Sequence, residues 1–285
     1  MPWKFTREVE PYAERVLPLL RTNPEHHTVG LSVIETLRAG HRFSDQPMLF
    51  GWLEEDGEVR GAISHSRPSD VLLLVVPYAA ELATALRAEG IEVPGVNGDV
   101  ETVDRFCAAW TVGTALEAKT WMRMRQFALG ELVPPDPPPP GRARPAAPDD
   151  FDLAMRWFDA FSEELGLPDR MQESWTRQQI EAGMLWLWED EARTPVALAL
   201  RTAAAEGVAR IICVYTPPEH RGRRYGGAVT AACSADALAR EAERVVLFTD
   251  LDNPAPNAVY QRIGYRPLRD YRVVHFQTLN PPQGV

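Results

Sequence analysis

Residues 209–228 read ARIICVYTPPEHRGRRYGGA. The run opens with apolar, partly β-branched residues, meets the prolines 217 and 218, then sets Arg221, Gly222, Arg223, Arg224, Gly226 and Gly227 within seven positions. Proline lacks an amide donor and forces the residue before it to be extended, so a strand ends near Thr216. Beyond it the order is that of a turn leading into an Ala-rich helix. Backbone N–H groups at a helix N-terminus attract anions, and the helix dipole adds to the attraction. The natural ligand of such a turn is a nucleotide or coenzyme carrying a pyrophosphate; a merely solvated turn has the same composition.

A second β-rich run at 244–248 leads into DLDNPAPNAVYQRIGYRP, in which Asn253 precedes Tyr260 by seven residues and Gly264-Tyr265 follows. Together the two segments resemble the coenzyme A site of the GNAT superfamily of N-acetyltransferases, whose signature is R/Q-x-x-G-x-G/A followed by N-x-x-A/S-x-x-L-Y-x-x-x-G-F/Y. Here the first is Arg221-Gly222-Arg223-Arg224-Tyr225-Gly226 and the second is Asn253 to Tyr260 with Gly264-Tyr265. Arg224 stands where the family has its middle glycine. A side chain there costs about 1–2 kcal/mol if the turn needs a left-handed backbone.

The resemblance implies an acetyl-CoA-dependent N-acetyltransferase, with acetyl-CoA as cosubstrate and no metal. It implies that the backbone of Val214, Tyr215 and Thr216 meets the pantetheine arm, with a strand N–H polarising the thioester carbonyl. Gly222 to Gly227, Tyr225 and Gly226 included, hold the pyrophosphate through their amides, and Arg221, Arg223 and Arg224 offer charge. Asn253 meets the pantetheine chain, and Tyr260 hydrogen-bonds or protonates the departing thiolate. Some relatives carry a glutamate five residues before the asparagine; Phe248 occupies that position here. The general base stays open among Asp250, Asp252, Glu163, Glu164 and Glu173. Trp186 and Trp188 alternate along a strand, lining either an aromatic pocket or a core.

The chain has 285 residues, a formal net charge of −10, and a hydrophobic fraction of 45%, enough for two domains with cores of their own. An acidic chain whose arginines gather at one turn suits an anionic cosubstrate and argues against nucleic acid. The longest apolar runs fall short of the ~18–20 residues of a membrane span, and the N-terminal residues do not read as a secretion signal. Cys107, Cys213 and Cys233 are widely spaced and read as thiols of a reducing, cytoplasmic compartment.

Periodicity predicts helices over 8–20 and 25–39, strands at 48–53, 58–63 and 71–76, helices over 78–89 and 99–116, and a strand over 119–127. Residues 133–148 contain eight prolines in sixteen positions and read as a semi-rigid, extended linker. After it the same order returns: helices, a hairpin at 184–188 and 195–200, the 208–215 strand, a helix to 240, then 244–250, 254–262 and 271–277. The expected fold is therefore α/β, with two tandem GNAT-like domains, each a mixed, mostly antiparallel sheet flanked by helices. The expected division is a degenerate first domain at 1–133, a linker at 134–148, and the acetyltransferase domain at 149–285. The first copy has Val76-Pro77-Tyr78-Ala79-Ala80 where a phosphate turn belongs. The expected acceptor is a small-molecule amine or a peptide amine, attacked directly without an acyl-enzyme. A non-catalytic acyl-CoA-binding sensor or interaction protein is the alternative.

Overall fold

A computed structural model describes residues 3–43, 46–66, 68–167 and 170–279. The chain forms two compact units: the residues up to Gln126, with 250–252 and the segment from Arg269, and the residues 127–249 with 253–268. Each carries the mixed, mostly antiparallel sheet flanked by helices that the sequence predicts.

The first unit runs β1 (Trp3–Thr6), α1 (Val9–Leu20), α2 (Thr28–Arg38), β2 (Leu49–Glu55), β3 (Glu58–His65), β4 (Val71–Val75), α3 (Ala79–Ala88), β5 (Gly95–Asp99), α4 (Val100–Thr111) and β6 (Leu116–Leu129). Strands β1 to β4 are antiparallel neighbours in sequence order, and β4 pairs in parallel with β5. Asp56 (φ 50) and Gly57 (φ 81) make the two-residue β2–β3 turn, both left-handed as the twist of a tight hairpin demands. Leu82, Leu86, Val103 and Phe106 of α3 and α4 pack with Ile63, Val71 and Leu73 in one buried cluster.

The second unit runs β7 (Arg142–Pro145), α5 (Phe151–Leu165), α6 (Glu173–Glu181), β8 (Leu185–Glu189), β9 (Pro195–Arg201), β10 (Val208–Tyr215), α7 (Tyr225–Arg240), β11 (Arg244–Asp250), α8 (Pro254–Arg262) and β12 (Tyr265–Thr278). Strands β7 to β10 are antiparallel neighbours, and β11 joins β10 in parallel with α7 as the crossover. Alternation on β9 explains the sandwiching: Ala197 and Ala199 pack in the cluster of Val229 and Ala231 of α7, while Leu198 and Leu200 pack with Ala154, Phe158 and Ile180 of α5 and α6. From Arg269 onward, β12 pairs with β5 in the first unit, Tyr271 opposite Asp99.

Three local readings change. The proline-rich segment contains a strand: Arg142 to Pro145 pairs with Glu189 to Trp186. Arg144 fixes it through Glu189 and Asp150, each at 2.6 Å, and the Trp188 indole donates to Pro140 O at 2.9 Å. Proline is tolerated because β7 is paired on one side only. The four-residue β1 carries too short a pattern to announce itself. Helix α4 ends at Thr111 rather than 116, where Gly113 (φ 71) turns the chain into β6.

Candidate active site

The site grows from an irregularity in β10. Ile212 faces Leu200 and Tyr215 faces Leu198, so β10 spends three residues where β9 spends two. Cys213 takes up the extra residue with φ 48, a left-handed conformation that bends a bulged strand. The parallel ladder to β11 covers only Val208 to Ile211, against Arg244 to Leu247. Strand β10 runs on to Tyr215 without that partner. Among the described residues, the β11-side backbone of its last residues, Val214, Tyr215 and then Thr216, meets no strand partner, an edge that a strand-like amide chain can extend.

The loop after β10 tightens into a short helical turn at Pro218–His220, where His220 N donates to Pro217 O (2.9 Å) and Arg221 N to Pro218 O (3.3 Å). From that point the donors are unused. Among the described residues, no acceptor meets the amides of Gly222, Arg223, Arg224, Tyr225, Gly226 and Gly227, and the first helical bond of α7 is Ala228 N to Arg224 O at 3.1 Å. No side chain caps the helix. Six free N–H groups at the head of a sixteen-residue helix form a preorganised anion cradle. Gly222 (φ 77) and Arg224 (φ 65) are left-handed, the latter against steric preference. The arginine at the family's glycine position thus carries the strain anticipated from the sequence, about 1–2 kcal/mol.

The three arginines separate in role. Arg221 donates through Nε to Thr216 O (2.9 Å) and through Nη2 to both Glu164 oxygens (2.7 Å each), and it sits over the Tyr215 ring. Its guanidinium is committed within the protein. Arg223 and Arg224 are exposed, and among the described residues neither has an ion pair. They are the side chains free to neutralise a phosphate.

Helix α8 supplies the rest. Gly227 lets it approach, since a Cβ there would stand 3.0 Å from Val259 Cγ1. Asn253 occupies the N-cap position but its side chain does not cap, which leaves the amide available. Tyr260 is only 8% exposed, packed in the α7-side core edge-on to Tyr265 at 6.1 Å, and burial raises its pKa. Tyr265 bonds Ser234 Oγ at 2.7 Å, tying β12 to α7. At Gly264 (φ 103) a Cβ would lie 1.9 Å from Glu131 O, which accounts for the glycine of the second motif.

Of the candidate bases, Glu164 is joined to the end of β10, accepting a bond from the Tyr215 hydroxyl at 3.3 Å besides those of Arg221. Asp252 instead pairs with Arg123, and its amide donates to Asp250 Oδ1 at 2.8 Å. Trp188 lies in the core and Trp186 packs against it. In the first unit the matching β4–α3 connection is only residues 76–78, with Glu81 rather than a cation in the first helical turn. The bulge at Cys213 and the Arg221–Glu164 link left no mark in the sequence pattern; only the listing of Glu164 among several acids touched them.

Residues 153–265 match the family model described as Acetyltransferase (GNAT) family. That stretch is similar to a family of acyl-CoA-dependent acetyltransferases. Its fold is similar over nearly its whole length to a Drosophila protein (14% identity, TM-score 0.68, 98% of this chain and 99% of that one). A GCN5-related N-acetyltransferase from Sphaerobacter thermophilus gives 16% identity and a TM-score of 0.65, covering 98% and 96%. A tandem GNAT protein from the clavulanic acid biosynthesis pathway gives 14% and 0.58, covering 99% and 100%. At these identities the likeness is one of fold, and the tandem architecture is part of it. No curated protein matches the sequence. Among the described residues, no helix is long and apolar enough to cross a membrane.

Proposed function

We propose that the protein is an N-acetyltransferase that passes an acetyl group from acetyl-CoA to a primary amine, small-molecule or peptide, by direct attack in a ternary complex. The observation that carries this reading is the row of six unused amides from Gly222 to Gly227 beside the open edge of β10. The pyrophosphate is held by those amides with Arg223 and Arg224, and the pantetheine arm adds along Val214, Tyr215 and Thr216 with Asn253 on its other side. A strand N–H polarises the thioester carbonyl. Tyr260 hydrogen-bonds the leaving sulfur; with its pKa raised, the phenol stays protonated and stabilises a thiolate better than it surrenders its proton. Glu164 faces the incoming amine. The thiols support direct attack, because burial pushes Cys107 up to about 11 and Cys213 up to about 12, and Cys233 upward as well. Free cysteines also suit a reducing, cytoplasmic setting.

The alternative, an acyl-CoA-binding sensor, draws on the deep packing of Tyr260. A panel of amines assayed for thiol release from acetyl-CoA separates the two. Amine-dependent release above hydrolysis supports the transferase; tight coenzyme binding with no amine dependence assigns the sensor.

A further inference from the structure

The second unit buries arginines with care. Arg201 is fully buried and braced by Asp236 (3.0 Å) and Glu241 (2.7 Å). Arg144, a quarter exposed, has Asp150 and Glu189, each at 2.6 Å. Arg210 breaks the pattern. Among the described residues its guanidinium meets no carboxylate and no hydrogen-bond acceptor, and Nη1 is sealed from solvent. Burial alone lowers its pKa to about 10. A buried guanidinium without a counter-ion is costly, and a chain that supplies two carboxylates to each of its neighbours has left this one to something else.

The backbone holds Arg210 in place: its N–H donates to Thr202 Oγ1 (3.0 Å), its carbonyl accepts from Thr202 N (2.9 Å), and it lies opposite Val246 of β11. Ala209 and Ile211 pack on the α7 side, so Arg210 projects from the other face, shared with Ile212, which packs in the cluster of α5 and α6. The residue as a whole is of intermediate burial, so part of it stays open to solvent although Nη1 is sealed.

We propose that Arg210 is an oxyanion-binding site on the α5/α6 face of β10, and that it receives an acidic group, carboxylate or phosphate, of the acceptor. The second clause rests on the transferase reading; the first does not. Arg210 stands four residues before Val214 on a strand rising ~3.3 Å per residue, so the site favours acceptors whose anion and amine lie several bonds apart.

Two arms test it. In the first, thermal unfolding of the wild-type chain and of Arg210→Met is followed in sodium succinate and in sodium phosphate against sodium chloride of equal ionic strength. A rise in the wild-type midpoint with one anion, absent in Arg210→Met and partly retained in Arg210→Lys, supports the site and tells carboxylate from phosphate. Equal responses of wild type and Arg210→Met, or no response in either, overturn it; an Arg210→Met chain that melts normally in chloride excludes misfolding as the cause. In the second, ω-amino carboxylates, their phosphonate analogues and alkylamines of matching length serve as acceptors. Arg210→Met is expected to raise KM at least tenfold for the acidic acceptors relative to the neutral ones. Anion-specific stabilisation without any acylation leaves the site standing and removes the transferase reading; acylation without an Arg210-dependent preference keeps the transferase reading and overturns the acceptor role of Arg210.

Discussion

Replacing Arg224 tests the cradle, because strain and charge meet in one residue and two variants separate them. The backbone at Arg224 has φ 65 and ψ 10, where an L side chain costs about 1–2 kcal/mol. Arg224→Gly removes that cost but adds the extra backbone entropy of glycine in the unfolded chain, roughly 0.5–1 kcal/mol. The net expectation is a gain of about 0.5–1 kcal/mol, or about 1–4 °C in the midpoint for a unit of this size. Arg224→Ala keeps the strain and loses only the charge.

Both variants lose one exposed cation from the proposed phosphate site, and an exposed ion pair contributes roughly 0.2–1 kcal/mol. Coenzyme A affinity measured by calorimetry should therefore fall about 1.4- to fivefold in both, while differential scanning shows stabilisation in the glycine variant alone. Equal melting of Arg224→Gly and Arg224→Ala would refute the strain argument. An unchanged affinity in both would remove Arg224 from the phosphate site and leave the neutralisation to Arg223.

Tyr260→Phe should lower kcat about ten- to a hundredfold at unchanged KM for acetyl-CoA and leave stability within about 0.5 kcal/mol; Tyr265→Phe, which loses the Ser234 bond, should cost about 1 kcal/mol on urea unfolding instead. Glu164→Gln should reduce kcat/KM for the amine at least tenfold, with coenzyme affinity held within about twofold. His27 is buried, and that burial, then His26 and Arg269, lowers its pKa from 6.5 to about 4. The folded value lies below the unfolded one, so the unfolded chain takes up the proton first, and stability falls as pH drops from 6.5 toward 4, by up to about 3 kcal/mol. Chemical denaturation across that window should show the slope in the wild type and a flatter line in His27→Phe.

What could be read ahead of the structure was whatever depends on residue type at fixed spacing. Pro217 and Pro218 ended β10 because they have no other choice, and Gly264 was placed by its motif and proves sterically required beside Glu131 O. The six amides followed from the order of strand, turn and helix alone. What stayed hidden depends on partners far apart in the chain. The Arg221–Glu164 bond spans 57 residues, and no local pattern distinguishes an arginine held by a carboxylate from one left for a phosphate. The β7 strand was masked by its prolines, since propensity argues against a strand that Arg144, Asp150 and Glu189 then pin from outside.

The two units pose the same βαβ problem and answer it differently, and the difference bears on the proposed coenzyme site. In the first unit β4 passes to α3 through residues 76–78, and the first helical turn holds Glu81. In the second, β10 reaches α7 only after residues 216–224, a detour that exposes six donors and accepts a strained arginine to do so. Stability alone selects the short connection, since every added loop residue must be ordered on folding at about 1–2 kcal/mol of backbone entropy. A loop three times as long, carrying strain at Arg224 and leaving its hydrogen bonds unmade, is what a ligand must compensate. Grafting residues 76–78 in place of 216–224 should therefore abolish coenzyme binding by calorimetry; retained affinity would mean that the cradle is not where the coenzyme sits.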